Sequence, residues 1–324
     1  MTALIESHLL LSAAATVIGI TLLMFGGDWF VDAACGIAAR LRVPRMLVGA
    51  TIVAMATTLP ETMVSVLAHT TMRAPEIAVG NAVGSVICNI GLILATALLI
   101  LPVSIMRASV LYQGFFLMTG GTLVWVLGAH GTLTRAGGLV LLTGLMLFLA
   151  TSAMLALHNR EAETHTPDVP TSMLATVALF ILGLVLVIIG SKLLIAGAVG
   201  IAHRLHVPEL VISLTVVSVG TSLPELATAL VSAFKGRTDL SVGNIFGANI
   251  LNIYQVLGVC GAIKPLTLSA SVLRYDLPIM LLFCATLFLY ALTGNRLRRL
   301  EGAGLLACYA AYLVLLASRT LAGV

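Results

Sequence analysis

"RLRVPRMLVGATIVAMATTLPE" (40–61) and "RLHVPELVISLTVVSVGTSLPE" (204–225) are two copies of one segment, 164 residues apart and identical at ten of 22 positions. Likeness between any two apolar helices explains shared leucines and valines. It does not explain Pro, Thr and Glu recurring in the same order. A second match, displaced by 163, sets "VGNAVGSVICN" (79–89) on "VGNIFGANILN" (242–252). The chain is therefore an internal duplication. Each copy places a proline and then a carboxylate, Pro60–Glu61 and Pro224–Glu225, inside an apolar run.

Composition explains why that placement is unusual. The 324 residues are 60% hydrophobic and 9% charged, with a mean hydropathy of +1.11, whereas soluble domains average about 25% charged residues. Apolar stretches of the roughly 20 residues that span a bilayer recur along nearly the whole chain, without the ten-residue alternation of a membrane β-barrel. The pattern predicts an all-α integral membrane protein with about ten spans: 8–37, 46–72, 76–101, 108–128, 134–157, 173–202, 209–234, 240–263, 276–293 and 302–318. The most polar connector, "HNREAETHTPDVPT" (158–171), divides them five and five. The expected organisation is a first five-helix repeat over 1–158, a cytoplasmic linker over 159–172 and a second five-helix repeat over 173–324.

An odd number of spans per repeat inverts the second copy relative to the first. Counting Lys and Arg by side gives six on the side of the N-terminus and ten on the side of the linker. The positive-inside rule then puts the linker in the cytoplasm and both termini outside. The N-terminus has no basic region before its apolar run, so a cleaved signal peptide is not expected. The net charge of +4 is carried by loops and reads as topology, not as nucleic-acid binding. The five cysteines are scattered without a CxxC and read as packing residues; the histidines lack metal-ligand spacing. No HExxH or GxSxG supports a hydrolase.

Of thirteen acidic residues, only Glu61 and Glu225 fall near the middle of predicted spans, where each costs about 2.5–3.5 kcal/mol on insertion scales. Matched positions in two repeats point to a site between them. Thr57 and Thr221 lie four residues before their glutamates and share a helix face with them; Thr58 and Ser222 lie three before. Pro60 and Pro224 lack an N–H, which predicts a loosened helix with free carbonyls at Ala54–Ala56 and Ser218–Gly220. Across from them, Gly80/Gly84 and Gly243/Gly247 form small-xxx-small pairs suited to close helix approach. Ser85 and Asn89 share a face, with Ala248 and Asn252 as counterparts. Asp28, Asp32 and Lys192 lie toward span ends and are read as structural. Carboxylates, hydroxyls, amides and carbonyls are an all-oxygen set that suits Ca²⁺ or Na⁺ and not zinc or copper. Two carboxylates balance one divalent or two monovalent cations.

These motifs closely resemble those of the cation/calcium exchanger superfamily, particularly prokaryotic sodium/calcium exchangers, whose paired repeats carry GTSLPE-like and GNxxGSNxxN/D-like segments. The resemblance covers both repeats. It implies ten helices in two inverted five-helix repeats and a membrane antiporter that is not an enzyme. It would exchange Ca²⁺ for Na⁺ by alternating access, in a bacterial inner membrane, with no cofactor and no obligatory protein partner. By motif, Glu61 and Glu225 would be the shared ligands, completed by Thr57, Thr58, Thr221, Ser222, Ser85, Asn89 and Asn252, with carbonyls from Ala54 and Ser218. Four departures stand out: Ala56 for Gly, Thr58 for Ser, Ala248 where a serine often serves sodium, and Asn252 where many relatives carry Asp. The alternatives are Ca²⁺/H⁺ or other cation exchange and a cation channel; a pseudo-twofold site favours alternating access over a pore.

Overall fold

The computed structural model describes residues 9–72, 74–104, 107–158, 172–206, 220–293 and 296–322. Ten helices make up most of it: α1 (Leu9–Leu41), α2 (Arg45–Thr70), α3 (Pro75–Ile100), α4 (Arg107–Leu127), α5 (Arg135–His158), α6 (Met173–Arg204), α7 (Leu223–Phe234), α8 (Thr238–Ile263), α9 (Leu277–Thr293) and α10 (Arg299–Ala322). A backbone in hydrocarbon must satisfy its own polar groups, which is why apolar runs of this length become helices. Among the described residues nine helices are long and apolar enough to cross a membrane, and α7 is described over 12 residues. The upstream part of its expected span, and most of the linker, lie outside the described residues.

α1 and α6 run antiparallel and pack backbone to backbone through glycine. A Cβ on Gly19 would stand 2.8 Å from the Gly190 carbonyl, and one on Gly183 2.8 Å from that of Gly26. Gly19 and Gly183 are 164 residues apart, as are Gly26 and Gly190. Each repeat thus offers the same pair of glycines to the other. Near the end of this pair Arg40 donates to Thr176.

Two short antiparallel ladders also join the halves. β1 (Val103–Ser104) pairs with β4 (Arg296–Leu297), and β2 (Thr132–Leu133) with β3 (Leu266–Thr267). β1 and β3 follow equivalent helices of the two repeats, as do β2 and β4. Loops joined by hydrogen bonds lie on one side of the bundle, so the ladders mark two opposite faces. On the β1–β4 face Lys235 reaches Asp28 at 2.5 Å and Asp32 at 2.8 Å, and Arg237 also pairs with Asp32. The end of α7 and the start of α8 thus neutralise the two acids of α1. On the β2–β3 face His69 Nε2 is 3.0 Å from the Lys264 carbonyl, a contact near the end of α2.

The core lies between α2, α3, α8 and the helices around them, and α3 and α8 are its most buried spans. Gly243 and Gly247 do permit close approach: their Cβ positions would be 2.1 Å from the Met46 carbonyl and 2.2 Å from that of Ala50. At Gly80 and Gly84, their counterparts, no atom of the described residues lies within 4 Å of the corresponding position; Leu210 and Leu214, the repeat equivalents of Met46 and Ala50, lie outside the described residues. Both line a cavity, and α2 fills the corresponding room on the α8 side.

Candidate functional site

The two prolines act differently. Pro60 sits inside the continuous stretch Ala54–Thr70 of α2, so the carbonyl four residues back has no N–H from it. Pro224 instead follows a turn at Thr221–Ser222 and occupies the first turn of α7, with Glu225 beside it. That position tolerates proline because its N–H would be unpaired anyway. The expected matched kinks are therefore one proline within a helix and one at a helix start. The positive end of the α7 dipole lies at Glu225 and favours an anionic side chain there.

Loosening of the helices occurs elsewhere, in π turns that sequence inspection did not anticipate. One spans Gly49–Val53, just before Ala54. Two more begin at Asn89 and at Asn252, the matched asparagines of α3 and α8. Such turns are frequent at functional sites because they interrupt the regular hydrogen-bond ladder. The only signal in the sequence is the recurrence of asparagine at the same repeat position.

Glu61 and Glu225 meet. Glu225 has Thr57, Thr58 and Glu61 as side-chain neighbours, and Glu61 has Glu225. The carboxylates are 1% and 0% exposed, and none of their four oxygens has a well-formed hydrogen bond. The Thr58, Ser85 and Ser222 hydroxyls, the Asn89 Oδ1 and both amide atoms of Asn252 are also buried without a partner. Buried polar groups are nearly always satisfied, and an unpaired buried charge costs several kcal/mol. A cluster of orphaned oxygens around two carboxylates is the donor set a hard cation would satisfy.

The remaining predicted residues are placed less directly. Cys88, next to Asn89, has Ser222, Glu61 and Glu225 among its neighbours, which brings Ser222 to the pair. Ser85 and Thr221 share the wall of one cavity with Cys88. Asn89 Nδ2 donates to Asn249 Oδ1 at 3.0 Å, leaving its own oxygen free. Asn252 opens a π turn packed against α2 and α3. The Ala54 carbonyl accepts from the Thr57 hydroxyl at 3.3 Å. Ser218 lies outside the described residues.

Three contributors escaped sequence reasoning. Asn249 orients Asn89, and Cys88 lines the pocket although its chemistry suggested packing only. Asn81 donates to the Glu61 carbonyl at 3.2 Å and to Ser65 Oγ at 2.9 Å, which fixes the backbone of the glutamate. Its counterpart Asn244 is buried without a partner; Ala229 stands where the first repeat has Ser65, which removes one of the two acceptors.

The sodium/calcium exchanger protein family matches the chain twice, over residues 11–154 and 175–317. A protein of Alkalimonas amylolytica named as the antiporter CaxA is 37% identical over 320 residues, covering 96% of this chain and 100% of that protein. The sodium/calcium exchanger MaX1 of Methanosarcina acetivorans is 29% identical, covering 92% and 96% respectively. The solved structure of the sodium-calcium exchanger NCX_Mj, soaked with Na⁺ and Sr²⁺, superimposes with a TM-score of 0.81 at 31% identity, covering 95% of this chain and 99% of that one. With two family matches spanning both halves and a fold shared over nearly its full length, this chain belongs to the sodium/calcium exchanger family of membrane antiporters.

Proposed function

We propose that the chain exchanges Ca²⁺ for Na⁺ by alternating access at the Glu61–Glu225 site. One observation carries the reading: Glu61 and Glu225 are buried neighbours whose four carboxylate oxygens lack hydrogen bonds, on helices that also carry buried, unpartnered hydroxyl and amide groups. Such a cluster holds either one Ca²⁺ or two Na⁺ in charge balance, and a site that accepts one load or the other couples their fluxes. Thr57, Thr58, Ser222, Ser85, Asn89 and Asn252 complete the coordination, with Thr221 at its margin and carbonyls from Ala54 and Ser218.

The reciprocal glycine contacts of α1 and α6 and the crossed β-ladders support inverted five-helix repeats, 1–158 and 173–324, around the linker 159–172. The excess of Lys and Arg on the β1–β4 face supports a cytoplasmic position for that face, in a bacterial inner membrane, with both termini outside.

Radiolabelled Ca²⁺ uptake into proteoliposomes loaded in turn with Na⁺, K⁺ or acid tests the reading. Uptake driven by the Na⁺ gradient is expected. Uptake driven only by a pH gradient would replace Na⁺ with H⁺, and conductance without any counter-ion would indicate a channel. Asn252→Asp adds a third acid to the ring and is expected to shift the Na⁺ concentration for half-maximal exchange by at least about threefold, since ionised ligands bind more strongly than neutral ones. An unchanged Na⁺ dependence would place Asn252 outside the coordination shell.

A further inference from the structure

A cavity of about 400 Å³ runs along α3 past Gly80, Gly84 and Ser85 to Thr221. It approaches the β2–β3 face, where the π turn Val272–Asp276 just before α9 and the helix α10 contribute Asp276, Tyr309 and Tyr312 to its wall. Asp276 is the only charged side chain lining it among the described residues. We propose that Asp276 is a cation-recruiting residue for exchange, receiving ions that enter from the β2–β3 face before they reach the glutamates. This rests on the reading of Glu61 and Glu225 as the transport site.

The surroundings of Asp276 suit that role. Its Oδ1 accepts from Arg319 Nη1 at 3.2 Å. Arg319 is itself held from two other directions: it donates to Ser271, and its guanidinium lies 4.2 Å over the Tyr275 ring. The arginine does not line the cavity, so the pair presents its anionic member to the passage and its cationic member to the helix packing behind. A free carboxylate would hold Ca²⁺ and slow its onward movement. A carboxylate partly neutralised by arginine attracts cations and releases them. The paired glutamates deeper in, with two acids and no base among their described neighbours, bind more strongly. Affinity therefore rises along the route from the mouth to the site.

The test is sidedness, which a purely structural residue would not produce. Apparent KM for Ca²⁺ is measured at each face separately, in vesicles of both orientations. Asp276→Asn is expected to raise KM at the β2–β3 face by about tenfold, the lower end of what local charge contributes to cation recruitment. The KM at the opposite face and the maximal rate stay unchanged, and Asp276→Glu restores the wild-type value. Equal changes at both faces, or none, overturn the proposal. Should Asp276→Asn fail to accumulate, Arg319→Gln decides: freeing the carboxylate is expected to lower KM at the same face only, and an unchanged KM there overturns it. The wild-type arm separates the two readings. Absence of Ca²⁺ flux in wild type sinks the proposed function together with this role, whereas wild-type flux with symmetric variant kinetics sinks this role alone.

Discussion

Replacing either Glu61 or Glu225 by glutamine is expected to reduce Na⁺-driven Ca²⁺ flux by at least about 100-fold while leaving the protein folded. Breaking one side of a buried charge interaction costs about 3–5 kcal/mol, and each 1.4 kcal/mol is tenfold in affinity. Glutamine keeps the shape and one acceptor oxygen but removes the charge that balances a divalent ion. Stability should move the other way when no cation is present. The two carboxylates are neighbours, buried and without hydrogen bonds, so losing one charge relieves their repulsion. Thermal unfolding separates the effects. Ca²⁺ should raise the Tm of wild type, because a ligand that binds only the native state stabilises it, and should leave the Tm of either variant unchanged. Wild-type flux in either variant would refute the shared site.

The comparison with sequence reasoning turns on a few residues. Hydropathy and the repeat located the helices because bilayer thickness and backbone satisfaction leave few choices. The pairing of Glu61 with Glu225 was legible because two costly acids at matched positions require a common explanation. The π turns at Asn89 and Asn252 were not, since one extra residue in a helical turn leaves no mark on an apolar pattern. Nor could the repeat reveal where its copies diverge. Pro60 and Pro224 align in sequence, yet one is inside a helix and the other starts one. Asn81 and Asn244 align, yet only the first finds a partner; Ala229 in place of Ser65 removes one of the two acceptors. Two copies of a motif fold into two environments when their neighbours differ by a single hydroxyl or a single turn.

The glycines test that divergence most sharply. Gly247→Ala is expected to lower the Tm by several degrees or abolish accumulation, because its Cβ would stand 2.2 Å from the Ala50 carbonyl oxygen and 2.5 Å from the Ala50 Cα. These are backbone atoms, so no side chain can rotate away and α2 must shift as a unit. Overpacking of this kind costs about 1–3 kcal/mol even where side chains can adjust. Gly84, at the matching position of the first repeat, lines the cavity and meets no atom of the described residues there. Gly84→Ala should therefore leave the Tm unchanged or slightly higher, since alanine is favoured over glycine within a helix by about 1 kcal/mol. Gly84→Leu should still fold but obstruct the passage toward Ser85 and Thr221, giving a low flux from the β2–β3 face at normal Tm. Parallel thermal unfolding and vesicle flux on the three variants decide the matter. Equal Tm losses for the two alanine variants would mean that both glycine pairs serve helix packing, and the cavity would then lose its wall.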